Sequence, residues 1–201
     1  MAVMFLYDFD KAEAALVYLA SNSEAVPAFD KYKAGKLLFL ADKYHLVRYG
    51  RPILGDNYKA LDYGPVPQQT LDVLHVLVGD QSAWRADVAK AVERLRKMLE
   101  VDHRFRYPRL SARVTPNLEA LSISELRALE HVVSEHGKRT FDELKVLTHT
   151  MPAFRKAWAA RGDALAVEMN YEDFFEEDPD ALAGAREEML ENDALRKAFP
   201  A

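Results

Sequence analysis

The sequence predicts a mainly α protein, a compact multi-helix domain with a small β-hairpin as its minor β element. Three observations predict it. Apolar residues recur at three- and four-residue spacing along most of the chain, as the buried stripe of a helix requires. Ser122 to Glu125 and Thr140 to Glu143 have the serine/threonine-to-glutamate spacing of capping boxes, which mark helix starts. A single stretch, RPILGDNYKALDYGPVP over 51–67, interrupts the pattern with turn formers between short apolar runs. With 49% hydrophobic and 29% charged residues in 201, a folded core is expected rather than disorder. The predicted organisation is a helical domain over 1–165 and an acidic, partly helical extension over 166–201.

The first helix is expected from Phe9 to about Ala20, capped by Asp8, with Ala12, Ala15, Leu16 and Leu19 inward. Asp30 opens a second helix that Gly50 ends. Its stretch from Leu37 to Ala41 is apolar on every side, which places it at the centre of the fold. Ile53-Leu54 and Tyr58 to Leu61 flank Gly55-Asp56-Asn57 and predict the hairpin, after which Tyr63 to Pro67 turns the chain. Pro67 suits the first position of a helix over Gln68 to Val78, with Gly79 at its end. Trp84, Val88, Ala91, Leu95 and Met98 predict a helix near Ala83 to Leu99, and Arg104 to Thr115 reads as irregular or as a short strand. The capping boxes start helices ending at His136-Gly137 and about Thr148, Pro152 starts another through Trp158, and Asp178-Pro179 starts a last one to about Lys197.

Composition removes several functions. There is no cysteine, so thiol catalysis, thiolate metal sites and disulfides are absent, as suits a reducing compartment. The first ten residues lack the basic start and sustained apolar run of a signal peptide, and no stretch approaches a membrane span; a cytoplasmic location is expected. A formal net charge of -5 disfavours non-specific nucleic-acid binding. The charge is uneven. Lys31 to Arg51 holds six bases against Asp42, and Glu172 to Asp193 holds ten acids against Arg186. These are either solvated faces or patches complementary to each other or to a partner.

No catalytic constellation emerges. No two histidines are four apart, no glycine loop ends in Gly-Lys-Ser/Thr, and no serine has a nucleophile-elbow pattern. The expectation is therefore no enzyme, no metal, no cofactor and no small-molecule substrate. His149, near a helix end, is read as orienting a neighbouring loop. Tyr49, Arg51, Tyr58 and Tyr63 crowd the bend after the central helix, and tyrosine and arginine are enriched at the energetic centres of protein interfaces. These four are the candidate partner-binding residues. For Tyr58, as for Tyr44, bracing the hairpin against the helix is the competing role.

The run KLLFLADKYHL over 36–46, then RYGRPI over 48–53, Gly55-Asp56, Tyr58 to Leu61 and Tyr63-Gly64-Pro65-Val66-Pro67 resembles the signature of the Panacea domain. That family includes the SocA-like antitoxins, once labelled phage-associated proteins. The similarity continues through Leu121-Ser122, Glu125, Gly137 and Leu144 to His149, covering about 30–160. The resemblance implies a mainly helical antitoxin that neutralises a cognate toxin by direct protein–protein contact. Partners of the family vary and include alarmone-synthetase-like enzymes acting on nucleotide or tRNA metabolism. It also implies an alternative, a proteolytic adaptor presenting the toxin to a cytosolic AAA+ protease. Autoregulatory DNA binding is disfavoured, because the second helix of the only helix-turn-helix-like pair, near 122–148, carries Lys145 as its one base.

Overall fold

A computed structural model describes residues 5–175 together with 185–187, 190–191 and 194. The architecture is mainly α with two small antiparallel sheets. Helix α1 (Phe9–Ser21) is capped by Asp8, whose carboxylate accepts from the Lys11 N–H. Helix α2 (Lys31–Tyr49) is capped by Asp30 and ends at Gly50 in the left-handed conformation, φ 64°. Residues 33 to 42 are buried without interruption. A helix apolar all round must be covered all round. α2 is accordingly surrounded by α1, helix α3 (Gln68–Leu77), α5 (Ile123–His136) and α6 (Phe141–His149).

Both capping boxes form. Ser122 Oγ accepts from the Glu125 N–H while the Glu125 carboxylate accepts from the Ser122 N–H, and Thr140 and Glu143 repeat the exchange. Helix α4 (Ala86–Met98) begins later than expected, and Trp84 lies outside it, 59% exposed. Asp80 instead caps a 3₁₀ turn, Gln81–Ala83, that uses up the chain before the helix. Helix α7 (Pro152–Ala159) starts on its proline as predicted.

The hairpin pairs different strands from those expected. β1 (Tyr58–Leu61) runs antiparallel to β2 (Gly64–Pro67), so the segment read as a turn is a strand and the turn is Asp62-Tyr63. Ile53 and Leu54 cannot join a ladder, because Asp42 Oδ1 on α2 takes their N–H groups at 2.8 and 2.9 Å. β2 tolerates Pro65 and Pro67 because it is an edge strand. A second hairpin pairs β3 (Leu99–Asp102), which begins on the expected last residue of the fourth helix, with β4 (Arg109–Ala112), which falls in the segment read as irregular or a short strand.

β5 (Ala166–Glu168) pairs with the other edge of β1, giving the order β2-β1-β5. A 3₁₀ turn, Tyr171–Phe175, follows and places Tyr171, Phe174 and Phe175 in the core. Phe174 packs on Phe39 and Tyr58 with ring centroids 5.4 and 5.9 Å apart. Residues 166–175, assigned by sequence to the extension, are thus bonded into the helical domain. The expected last helix lies largely outside the described residues, as does the acidic run 176–180.

Candidate partner-binding surface

α2 supports two surfaces, one at each end, and a buried polar brace between them. In the brace, Asp42 accepts from Ile53 N, Leu54 N and the Tyr58 hydroxyl, the last at 2.9 Å on Oδ2. Burial pushes its carboxyl up to about 7, against the opposing pull of those donors. Asp56, also buried, accepts from Gln69 N, Thr70 N and Thr70 Oγ1, anchoring the start of α3. Tyr58 is 2% exposed. It braces the bend from beneath and is not on the surface a partner meets, which corrects its assignment as a contact residue.

At the C-terminal end of α2, Tyr49 is 40% exposed and its ring lies 4.6 Å from that of His45. His45 Nδ1 lies 2.7 Å from the Arg51 carbonyl, which only accepts, so Nδ1 carries the proton and Nε2 faces Ser124 Oγ at 3.0 Å. Burial lowers its pKa and favours this neutral form. Arg51 pairs with Glu125 and reaches Ser122 Oγ. Glu125 also accepts from Lys11 at 2.7 Å. Burial alone would raise the Glu125 carboxyl, but Lys11, the Ser122 N–H and Arg51 together hold it down to about 2. Arg51 is therefore a cross-brace between α2 and α5, with part of its side chain at the surface.

Tyr63 sits at the opposite end, in the β1–β2 turn, 58% exposed. Lys36 and Tyr49 are thirteen residues apart on α2, about 20 Å by helical rise. Since Lys36 abuts the β2 end of the turn, the candidate residues do not share one patch. Lys145 Nζ lies 4.7 Å from the Tyr63 ring centre. Behind the turn, Lys36 is buried and donates to the Pro65 carbonyl at 2.7 Å. Burial, helped by Lys145, lowers its pKa to about 7. Gly64 has φ 96°, and a Cβ there would lie 2.9 Å from Lys36 Nζ and 3.0 Å from Thr148 Oγ1, so the backbone can approach only as glycine. His149 stacks on Phe154 at 4.4 Å, and its buried Nε2 has no hydrogen-bond partner among the described residues.

The basic stretch is largely turned inward. Lys31 contacts His75 and Asp80, and Lys33 donates to the Pro27 carbonyl. Arg48 stays exposed, and further exposed cations lie on the β3–β4 tip, where HRFRYPR over 103–109 alternates bases with aromatic residues. That alternation was present in the sequence, but its exposure was not. Among the described residues no group of three or more ligating side chains is placed to hold a metal ion, and no helix is long and apolar enough to cross a membrane.

No characterised protein and no solved structure matches the chain. Residues 35–154 match the family described as antitoxin SocA-like, Panacea domain, a span from α2 into α7 that includes the brace, the β1–β2 turn and both capping boxes. On a match over more than half its length, the chain belongs to the SocA-like, Panacea-domain antitoxin family.

Proposed function

We propose that the chain is the antitoxin of a toxin–antitoxin pair, acting in the cytosol by direct complex formation, with no bond made or broken. The family match over 35–154 carries this reading. The geometry supports it through preorganisation. The segment from Gly50 to Pro67 is tied to α2 by Asp42, His45 and Lys36; the exposed Tyr49 adjoins that tied backbone and the exposed Tyr63 stands within it. A rigid surface loses little conformational entropy on binding, so a few aromatic anchors in about 800 Å² per partner suffice for a tight complex.

The test is co-expression with the toxin encoded beside it. Growth should be restored, the two proteins should co-purify, and the half-life of the toxin should be unchanged. Rescue with no complex, or with a shortened toxin half-life, supports the proteolytic adaptor instead. Absence of both rescue and complex removes the antitoxin reading.

A further inference from the structure

Four rings from four elements form a row across one face of the molecule. Tyr107 on the β3–β4 tip meets Tyr32, in the first turn of α2, edge-on at 5.5 Å. Tyr32 lies 5.9 Å from Phe141, the first residue of α6, and Phe141 lies 6.4 Å from Tyr63 in the β1–β2 turn. Tyr107 and Tyr63, at the two ends, are 48% and 58% exposed. Cations accompany the rings. Lys31 is 5.1 Å from the Tyr32 centre, Lys145 4.7 Å from Tyr63 and Arg106 5.4 Å from Tyr107, while Arg109 lies 3.6 Å over neighbouring Phe105. Core packing does not require this row, since its ends lie on loop tips. Contiguous exposed apolar surface is uncommon on a protein that meets nothing there.

We infer that this face docks a partner protein whose surface presents carboxylates around a small apolar patch. The chemistry follows from which groups remain free. Arg104 on the same tip is neutralised by Asp102 at 2.7 Å, and Arg109 is close enough to Asp30 and Asp102 to pull on both carboxyls, whereas Arg106 and Lys145 make no salt bridge among the described residues. Their charge, in a chain of net -5, is available to incoming carboxylates. Ring edges and tyrosine hydroxyls are available to an apolar patch. Ring faces are less so, because cations cover them, and the rings meet edge-on or tilted. Single-stranded nucleic acid needs open parallel faces on which successive bases stack, and this row does not offer them. Tyrosine and arginine are also the residue types that dominate protein interfaces.

The inference rests on the antitoxin reading, with the toxin as the partner. The test measures Kd for the purified, catalytically inactive toxin with Arg106→Glu, Tyr107→Ala, Lys145→Glu, and the Arg106→Glu/Lys145→Glu pair. The control is Lys90→Ala, an exposed residue on α4. Thermal melts establish that each variant is folded. Each face variant should weaken binding about tenfold or more, the pair further, and raised salt should narrow the difference. The control should stay within about twofold, the noise expected of a residue outside the interface. Folded face variants that bind like the wild-type chain overturn the inference and leave the antitoxin reading standing. A wild-type chain that does not bind the toxin removes both. Salt-sensitive binding of an oligouridine probe that Arg106→Glu abolishes assigns the face to nucleic acid and overturns it as well.

Discussion

Asp42 and Lys36 occupy the same buried stretch of α2, and burial works against the charge of each. Asp42 is compensated by three donors, Lys36 by one carbonyl. The sign of each on stability follows from where the proton sits. Lys36 has a folded-state pKa of about 7 against about 10.4 in an unfolded chain, so between these values the unfolded chain holds a proton the folded one has released. Unfolding free energy therefore rises with pH through that window. Asp42 is the reverse: its raised pKa keeps a proton in the folded state between about 4 and 7, and its contribution falls as pH rises there. Chemical denaturation from pH 7 to 10 should show stability increasing for the wild-type chain, with the Lys36 share of that increase absent in Lys36→Met. An identical slope in the variant would assign the rise to other groups. Neither residue was legible as buried, because a lysine and an aspartate within an apolar helix read equally well as its wet edge. Tyr58 shows the same limit: its type suited an interface, and only its 2% exposure shows that it serves Asp42.

At the scale of elements, local signals were reliable where the chemistry that defines the element is itself local. Both capping boxes, the Asp8 and Asp30 caps and the Gly50 stop were readable from residues within four positions of each other. The β1–β2 pairing was not. Ile53-Leu54 and Gly64 to Pro67 compete as partners for Tyr58 to Leu61, and Asp42, eleven residues before Ile53, decides between them by taking the N–H groups of 53 and 54. β3 was hidden because Leu99 continues the helical stripe that begins at Val88. Glu125 joins elements rather than only capping one, since Lys11 on α1 and Arg51 beyond α2 converge on its buried carboxylate. Removing it leaves two cations and the Ser122 N–H without their acceptor. Glu125→Ala should cost about 3 kcal/mol, the scale of breaking a buried pair. The group is depressed in the folded state, so its contribution is fully present above about 4.3 and is lost as pH falls toward 2. Urea titrations at pH 7 and 3 should show a smaller difference between wild type and variant at the lower pH. An unchanged difference would mean the carboxylate acts through packing and not charge.

For the whole molecule, the helical scaffold and the family were legible because both reside in the ordered run from 36 to 67 and the capped helices after 121. The proposed docking face was not, since its residues lie far apart in the chain. Tyr32, Tyr63, Tyr107 and Phe141 become neighbours only when α2, both hairpin turns and α6 are brought together. The role of 166–175 was hidden for the same reason: the strand is short, and its partner β1 lies about a hundred residues earlier. The picture we propose is a rigid core that holds exposed aromatic and basic side chains against another protein. An enzymatic assay of the isolated toxin, with its purified substrate and without any protease, tests that picture most directly. Stoichiometric addition of this chain should abolish turnover at once and leave the toxin intact, whereas full toxin activity within a stable complex would contradict it.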